Sequence, residues 1–486
     1  MIKYIIWGCL AIFIIITLIR AAFWRPSKKV YQKLPREEVD LDRAVANLGR
    51  AIRFPTVSYP DQVQVDFMQF ERLHAFLAEA YPLLHARLRL EKVSRAGLLY
   101  YWAGKDPALK PIALLAHQDV VPVPEETLGD WLHPAFSGHN DGEYIWGRGA
   151  LDMKNQLICV LEAVETLLQE GYEPCRGVYL CFGYNEEIAD TGVSSAKRIV
   201  ELLQSRNVLL ESLLDEGGPF QLMKFKGFFD KRIAAVGISE KGYADFEITV
   251  RAKGGHSAKP PKHSALGELA IAIQELEKHQ FRGKILPFLT ELLITIGRNA
   301  TYPVRLFFCN FWLLKPLIKP AMSRVQAVAG FVRTTTAVTM ARGSSACNVM
   351  PQKATANVNF RMMPGVSIND VENHIRKVTS NKKLEIRLIK GREAAPFSST
   401  DSKAYKMIET LAIGQELDGI TVPFLIGGGT DASYYTPICD HIYRFSPFYL
   451  TQELLDSVHG TNERIPISSI FAAVAFFKRY IRGLTC

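Results

Sequence analysis

PIALLAHQDVVPV, residues 111–123, decides the fold. Its apolar run, unbroken from Pro111 to Ala116, has the length and the flanks of a buried strand. It ends on His117 and Asp119, and residues i and i+2 of an extended chain point to the same side. Two more runs of this kind are GLLYYWAG (97–104) and GVYLCFGYNEE (177–187). Before the latter, LICVLEAVETLLQEG (157–171) reads as a helix closing at Gly171. Apolar strands alternating with helices predict an α/β domain with a mainly parallel sheet. LDRAVANLGRAIRF (41–54) and FMQFERLHAFLAEAYPLL (67–84) supply helices ahead of it.

The pattern changes after Ser239. KGYADFEITVRAKGG (241–255), ATANVNFRMMPG (354–365) and KLEIRLIKG (383–391) alternate like half-exposed strands, with amphipathic helices at 264–280 and 369–380. This predicts a small α+β layer inserted into the first domain over 239–395, so that the catalytic domain occupies 41–238 and 396–486. FAAVAFFKRYI (471–481) reads as a closing helix, its basic residues in the last turn where the macrodipole favours them. The aromatic stretch VRLFFCNFWLLKPLIKP (304–320) fits poorly. Buried core of the inserted layer is the leading reading, ahead of an acyl-chain channel wall or a membrane-facing patch.

The 486 residues carry a net charge of +9, and 48% are hydrophobic. Such a composition excludes a disordered or collagenous chain. Five of those nine charges lie within residues 1–29, which contain no acid. The rest of the chain shows no long basic run, so nucleic acid is not an expected partner. The eight cysteines form no C-x-x-C pair, which excludes a cysteine-rich zinc finger. Tyr4 to Ile19 is uncharged and nearly all apolar, and extending it to Trp24 gives the ~20 residues that span a bilayer. The rival is a cleavable signal peptide, but no clean A-x-A site follows and Arg20 interrupts where cleavage would fall. We therefore expect an uncleaved membrane anchor over 1–24 and a basic linker over 25–40. Flanking charge places the body in the cytoplasm.

The chemistry lies at strand ends. WGRGALDMKNQ puts Asp152 between a Gly-rich turn and a helix, and GYNEE ends on Glu186 and Glu187. LLDEGGP ends on Asp215 and Glu216, and SVHGTNE carries His459. Singly, each has a bland reading as a cap or a surface charge. Together they converge, because an open α/β sheet gathers functional groups at the carboxyl ends of its strands. Clustered carboxylates repel unless cations compensate, and His with Asp/Glu, without thiolate, suits one or two zinc-type ions.

In order along the chain stand AHQDVVPV, WLHPAF, GRGALDMK, NEE, LDEGG, GGHSAKPP and HGTNE. In these motifs the sequence resembles the dizinc aminoacylase/carboxypeptidase metallopeptidase family, from about residue 45 to the end. It is most similar to the branch of carboxypeptidase S and the secreted N-acyl-amino-acid hydrolase/synthases. The resemblance implies a zinc-peptidase-like catalytic domain and makes the inserted α+β layer a ferredoxin-like lid and dimerisation domain. It implies two Zn²⁺ ions held by His117, Asp152, Glu187, His459 and one of Asp215 or Glu216, with Asp215 favoured. Asp152 would bridge the ions, and the peptide bond after it is often cis in relatives. Asp119 would orient His117, and Glu186 would be the general base. His256 would stabilise the oxyanion, supplied by the partner subunit in dimeric relatives. Asn348 and Arg361 would bind the substrate carboxylate. Gly428 and Gly429, in the turn 427–431, can bring main-chain N–H groups close to a ligand.

The expected protein is thus a membrane-anchored dizinc amidohydrolase, cleaving an amide bond next to a free carboxylate in a small peptide or N-acyl amino acid. An aminopeptidase or dipeptidase of the same chemistry is one alternative. A non-catalytic, membrane-tethered binding protein with a relic metal site is another. A homodimer through the lid is a further expectation. The resembling branch is lumenal or secreted, so the extracytoplasmic side is slightly favoured over the side the charges indicate.

Overall fold

The computed structural model describes residues 2–26, 33–188, 194–381, 383–415 and 419–485. Residues 27–32 of the expected basic linker, with Lys28 and Lys29, lie outside the described residues, as do residues 189–193 that follow the GYNEE motif.

Among the described residues, an eight-stranded sheet runs in the order Arg89–Val93, Gly97–Trp102, Val178–Gly183, Ile112–His117, Ser212–Phe225, Ile442–Tyr449, Phe229–Glu240, Ile420–Ile426. It is parallel through the strands that end at Gly183, His117 and Tyr449 and the first half of Ser212–Phe225. At one edge it turns antiparallel through Gly97–Trp102 and Arg89–Val93. The central strands Ile112–His117 and Val178–Gly183 are buried along their whole length, as a sheet covered on both faces requires. Helices Leu41–Ile52, Lys154–Gln169 and Ile467–Thr485 cover one face and Ser195–Ser205 the other.

The closing helix begins earlier and runs further than the FAAVAFFKRYI motif, from Ile467 to Thr485. Lys478 is therefore not in its last turn. Its fully buried ammonium contacts the Glu170 carboxylate (2.7 Å), that of Glu37 (3.1 Å) and the Glu38 carbonyl (2.6 Å). Arg482 reaches the same two glutamates. Arg482 stands in the last turn, where the macrodipole favours it, and these ion pairs tie the start of the globular body to its end.

A second, four-stranded antiparallel sheet has the order Thr335–Arg342, Lys353–Met362, Gly242–Arg251, Glu385–Arg392. Helices Ala265–Lys278 and Ile368–Thr379 cover one face, and the alternate residues of Lys353–Met362 are buried against them. In chain order this is strand–helix–strand–strand–helix–strand, the ferredoxin-like arrangement. Its end bearing Tyr243, Arg361 and Arg392 faces the large sheet.

The aromatic stretch is not core of this unit, which corrects the leading expectation. It forms helices Tyr302–Cys309 and Phe311–Arg324, which lie outside the four-stranded sheet with Tyr302, Phe307, Trp312 and Leu313 exposed. The preceding helix Pro287–Asn299 packs on the edge of the large sheet through Leu292 and Ile296, against Ile420 and Val422. The N-terminal helix Ile2–Phe23 is long and apolar enough to cross a membrane and is exposed over most of its length.

Candidate metal centre

The parallel strands end on one side of the sheet, and the acidic motifs meet there. His117, the last residue of its strand, donates from Nδ1 to the main-chain carbonyl of Asp119 (3.0 Å). That leaves Nε2 directed into the cluster, 2.9 Å from Asp152 Oδ1 and 3.7 Å from a Glu216 carboxylate oxygen. The other oxygen of Asp152 lies 3.1 Å from His459 Nε2, and Glu187 lies 3.0 Å from the same nitrogen. His117, Asp152 and Glu216 form one potential metal-binding set, and Asp152, Glu187 and His459 the other. Asp152 belongs to both and turns one oxygen toward each. The donors are imidazole nitrogen and carboxylate oxygen without thiolate, a set that fits zinc-type divalent ions. The peptide bond from Asp152 to Met153 is cis.

The electrostatics fit a site suited to positive charge. Burial, then the charge of Glu216, pushes the Glu186 carboxyl well above its ordinary range. Burial, then Asp152, does the same to Glu216. Burial opposes a charge on His117, but hydrogen bonds to Asp119 and Asp152 outweigh it and raise the imidazole. Hydrogen bonds to Asp152 and Glu187 raise His459 to about 10. Acids that resist ionising and imidazoles that hold protons are what carboxylates crowded in the interior produce when their charge is not met.

Glu216, not Asp215, stands in the cluster. The pairing of Ser212–Phe225 with Ile442–Tyr449 slips between Asp215 and Gly218, so Glu216 and Gly217 form a bulge, and a bulge re-aims its side chain. A Cβ at Gly217 would fall 2.3 Å from the Arg444 backbone, so only glycine permits this approach. Asp215 points the other way and accepts from the Ala432 N–H (2.9 Å). Beside it, burial and then Asp215 itself push the Asp431 carboxyl up to about 8.

Two carboxylates hold the set in place. Asp119 accepts from Ser58 Oγ (2.5 Å) and from the main-chain N–H groups of Glu186 and Glu187, each at 3.2 Å. It thereby fixes the glutamate pair as well as lying beside His117. Glu463 was quoted in the last motif but given no role by sequence reasoning. It is fully buried, pairs with the equally buried Arg148 (2.6 Å), and accepts from the N–H groups of Gly149, Leu151 and Asp152. Arg148 also donates to the Gly460 carbonyl, next to His459. One ion pair therefore positions the residues on both sides of the site. Removing one partner of such a buried pair costs about 3–5 kcal/mol. The signal was present in the sequence as an acid four residues after His459.

A cavity of about 320 Å³ at the cluster is lined by Glu186, Glu187 and His459, by Gly428 and Gly429, and by Arg361, Lys390 and Arg392 from the four-stranded sheet. Arg392 is tied to Glu240, Ser433 and the Thr430 carbonyl. The Arg361 guanidinium lies 4.8 Å from the Tyr243 ring centroid, and no carboxylate among the described residues pairs with it. His256 and Asn348 are not brought here. They line a separate cavity on the ribbon Gly255–His256/Val349–Met350. Tyr243 and Arg361 pair at one end of the four-stranded sheet and Arg251 and Lys353 at the other. At ~3.3 Å per residue the ribbon therefore begins about 26 Å away from Arg361.

Residues 113–483 match the model of peptidase family M20/M25/M40. The chain belongs to this family. It is 36% identical to "Probable carboxypeptidase S-like 2" of Dictyostelium discoideum, across 90% of this chain and 84% of that protein. It is 33% identical to the human "N-fatty-acyl-amino acid synthase/hydrolase PM20D1", across 90% and 86%. Among solved structures it is similar to an M20 family metallo-carboxypeptidase, Sso-CP2 of Sulfolobus solfataricus. The TM-score is 0.64 at 19% identity, covering 90% of this chain and 98% of that one. The M20 chain is a metal-dependent hydrolase of amide bonds, which sets aside the reading as a non-catalytic binding protein.

The bulge geometry can be tested by metal analysis. Glu216→Gln is expected to lose bound divalent metal, and Asp215→Asn to retain it with a lowered melting temperature. The opposite pattern in elemental analysis would return the ligand role to Asp215.

Proposed function

We propose that the M20 chain is a dizinc carboxypeptidase or N-acyl-amino-acid amidohydrolase. The observation that carries the reading is the position of Asp152, with one oxygen toward His117 and the other toward His459, beside a cavity lined by Arg361, which has no carboxylate partner among the described residues. His117, Asp152 and Glu216 would hold one ion, and Asp152, Glu187 and His459 the other. Bound divalent ions would supply Lewis-acid polarisation of the scissile carbonyl and an acidified water.

The chain's own residues supply the rest. Glu186, held against Asp119 by its main-chain N–H, takes a proton from the attacking water and returns it to the leaving nitrogen. Arg361 receives the substrate's free carboxylate, for which a planar guanidinium is suited. Gly428 and Gly429 line the same cavity. The names of the relatives support this class of substrate, one being a carboxypeptidase S-like protein and another acting on N-fatty-acyl amino acids.

His256 and Asn348 lie too far along the four-stranded sheet to serve the site of their own chain in this arrangement. We therefore assign them to the site of a second copy in a homodimer. The helix Ile2–Phe23 acts as the membrane anchor, a reading supported by its length and exposure.

Glu186→Gln is expected to keep its metal and lose about 10²–10⁴-fold in turnover of an N-acyl amino acid. Turnover close to that of the native chain would remove Glu186 from the mechanism. Converting the substrate carboxylate to an amide should abolish cleavage, while blocking the amino end should not. The reverse would favour the aminopeptidase reading. Mixing inactive Glu186→Gln and His256→Ala chains should restore activity that neither has alone, and failure to do so would contradict the shared site.

A further inference from the structure

Beside the N-terminal helix, three separate elements expose apolar side chains. The two helices of the aromatic stretch expose Tyr302, Phe307 and Trp312, and the tip of the hairpin joining Ser212–Phe225 to Phe229–Glu240 exposes Phe225 and Phe228. These elements are joined. The Thr301 N–H donates to the Phe228 carbonyl (2.9 Å), and the Tyr302 hydroxyl donates to the Leu18 carbonyl of the N-terminal helix (3.1 Å). The Arg298 guanidinium lies 5.4 Å from the Trp24 ring centroid. A Cβ on Gly297 would sit 3.1 Å from that ring, so the helix Pro287–Asn299 and the end of the N-terminal helix are in close contact.

The charge on the aromatic stretch is of one sign, while on the hairpin Asp230 is paired with Lys224. From Leu292 to Gly330 the sequence holds Arg298, Arg305, Lys315, Lys319 and Arg324 and no acid. Arg20, Arg298 and Lys315 line a cavity of about 350 Å³ whose walls include Trp24, Phe308 and Trp312. Among the described residues no carboxylate pairs with any of these three cations, and Arg305 Nε is buried without a hydrogen-bond partner. Lys226 adds a further cation at the hairpin tip.

Depth follows from the helix. Its 22 residues, at 1.5 Å each, reach about 33 Å, close to the ~30 Å hydrocarbon core. The body touches it at Leu18, Ala21 and Trp24, near its C-terminal end, while Ile5, Ile6 and Trp7 are exposed. When the helix spans the bilayer, the body is held at the boundary between acyl chains and headgroups. Large exposed aromatics interleaved with unpaired cations are the composition of surfaces that lie in that boundary on anionic lipid.

We propose that these elements form a bilayer-docking face for membranes carrying anionic phospholipid. Phe225, Phe228, Tyr302, Phe307 and Trp312 enter the boundary, and Arg20, Arg298 and Lys315 bind phosphodiester headgroups. The proposal rests on the anchor reading of the N-terminal helix and adds that the enzyme body itself lies on the membrane.

The test uses the full chain in phosphatidylcholine vesicles with brominated acyl chains, with or without phosphatidylglycerol. The loss of tryptophan quenching in Trp7→Phe reports the anchor, and that in Trp312→Phe reports the face. Both residues are expected to be quenched on anionic vesicles. Quenching of Trp312 alone should require phosphatidylglycerol, weaken as salt screens the charges, and be lost in the double variant Arg298→Glu, Lys315→Glu. Activity of that variant on a soluble substrate controls for its folding, and the salt dependence of the native chain needs no variant. Trp7 quenched with Trp312 unquenched on anionic vesicles would overturn the proposal and leave the anchor standing, as when a second copy covers the face. Trp7 unquenched would overturn the anchor reading, and the docking face with it.

Discussion

Negative charge gathered in the interior is the constraint on which this structure turns. Asp119, Asp152, Glu186, Glu187 and Glu216 meet at the carboxyl ends of the parallel strands, with two histidines to meet their charge. Such a cluster is unfavourable by itself, because burial penalises each charge and each carboxylate raises its neighbours. A cation at its centre would offset that cost, as protons on the acids and imidazoles also do. The fold spends several devices on holding the acids together: the bulge at Glu216, the Asp119 carboxylate beneath the glutamate pair, and the buried pair of Arg148 with Glu463. None of these devices contacts the open cavity as a substrate group would. They position the residues that do.

Two sources of side chains divide the work of the cavity. The large sheet brings acids and imidazole suited to metal. The four-stranded sheet brings Arg361, Lys390 and Arg392, and Arg361 has no carboxylate of its own among the described residues. A substrate with a carboxylate near its scissile amide would meet both sets at once. The length of the four-stranded sheet separates Arg361 from the ribbon of His256 and Asn348. The same sheet can thus face its own site with one end and present the ribbon elsewhere.

Much of this was legible in the sequence. The apolar runs ending in His117, Glu187 and Asp215 located the strands and the side of the sheet where chemistry gathers, and Asp152 and His459 followed from their motifs. What was not legible depended on tertiary geometry. The choice between Asp215 and Glu216 turns on a bulge that exists only because Gly217 approaches the Arg444 backbone. The separation of His256 from Glu186 is a property of sheet length and direction. Glu463 looked like any acid beside a turn until its partner Arg148, far away along the chain, was in place. The aromatic stretch has the composition of core, and only its position beside the N-terminal helix distinguishes a surface from an interior.

The most direct measurement is zinc-edge anomalous diffraction from crystals of the zinc-loaded M20 chain. The account predicts two zinc positions flanking Asp152, one beside His117 and Glu216 and the other beside Glu187 and His459. A single ion, or ions bound away from Asp152, would contradict it.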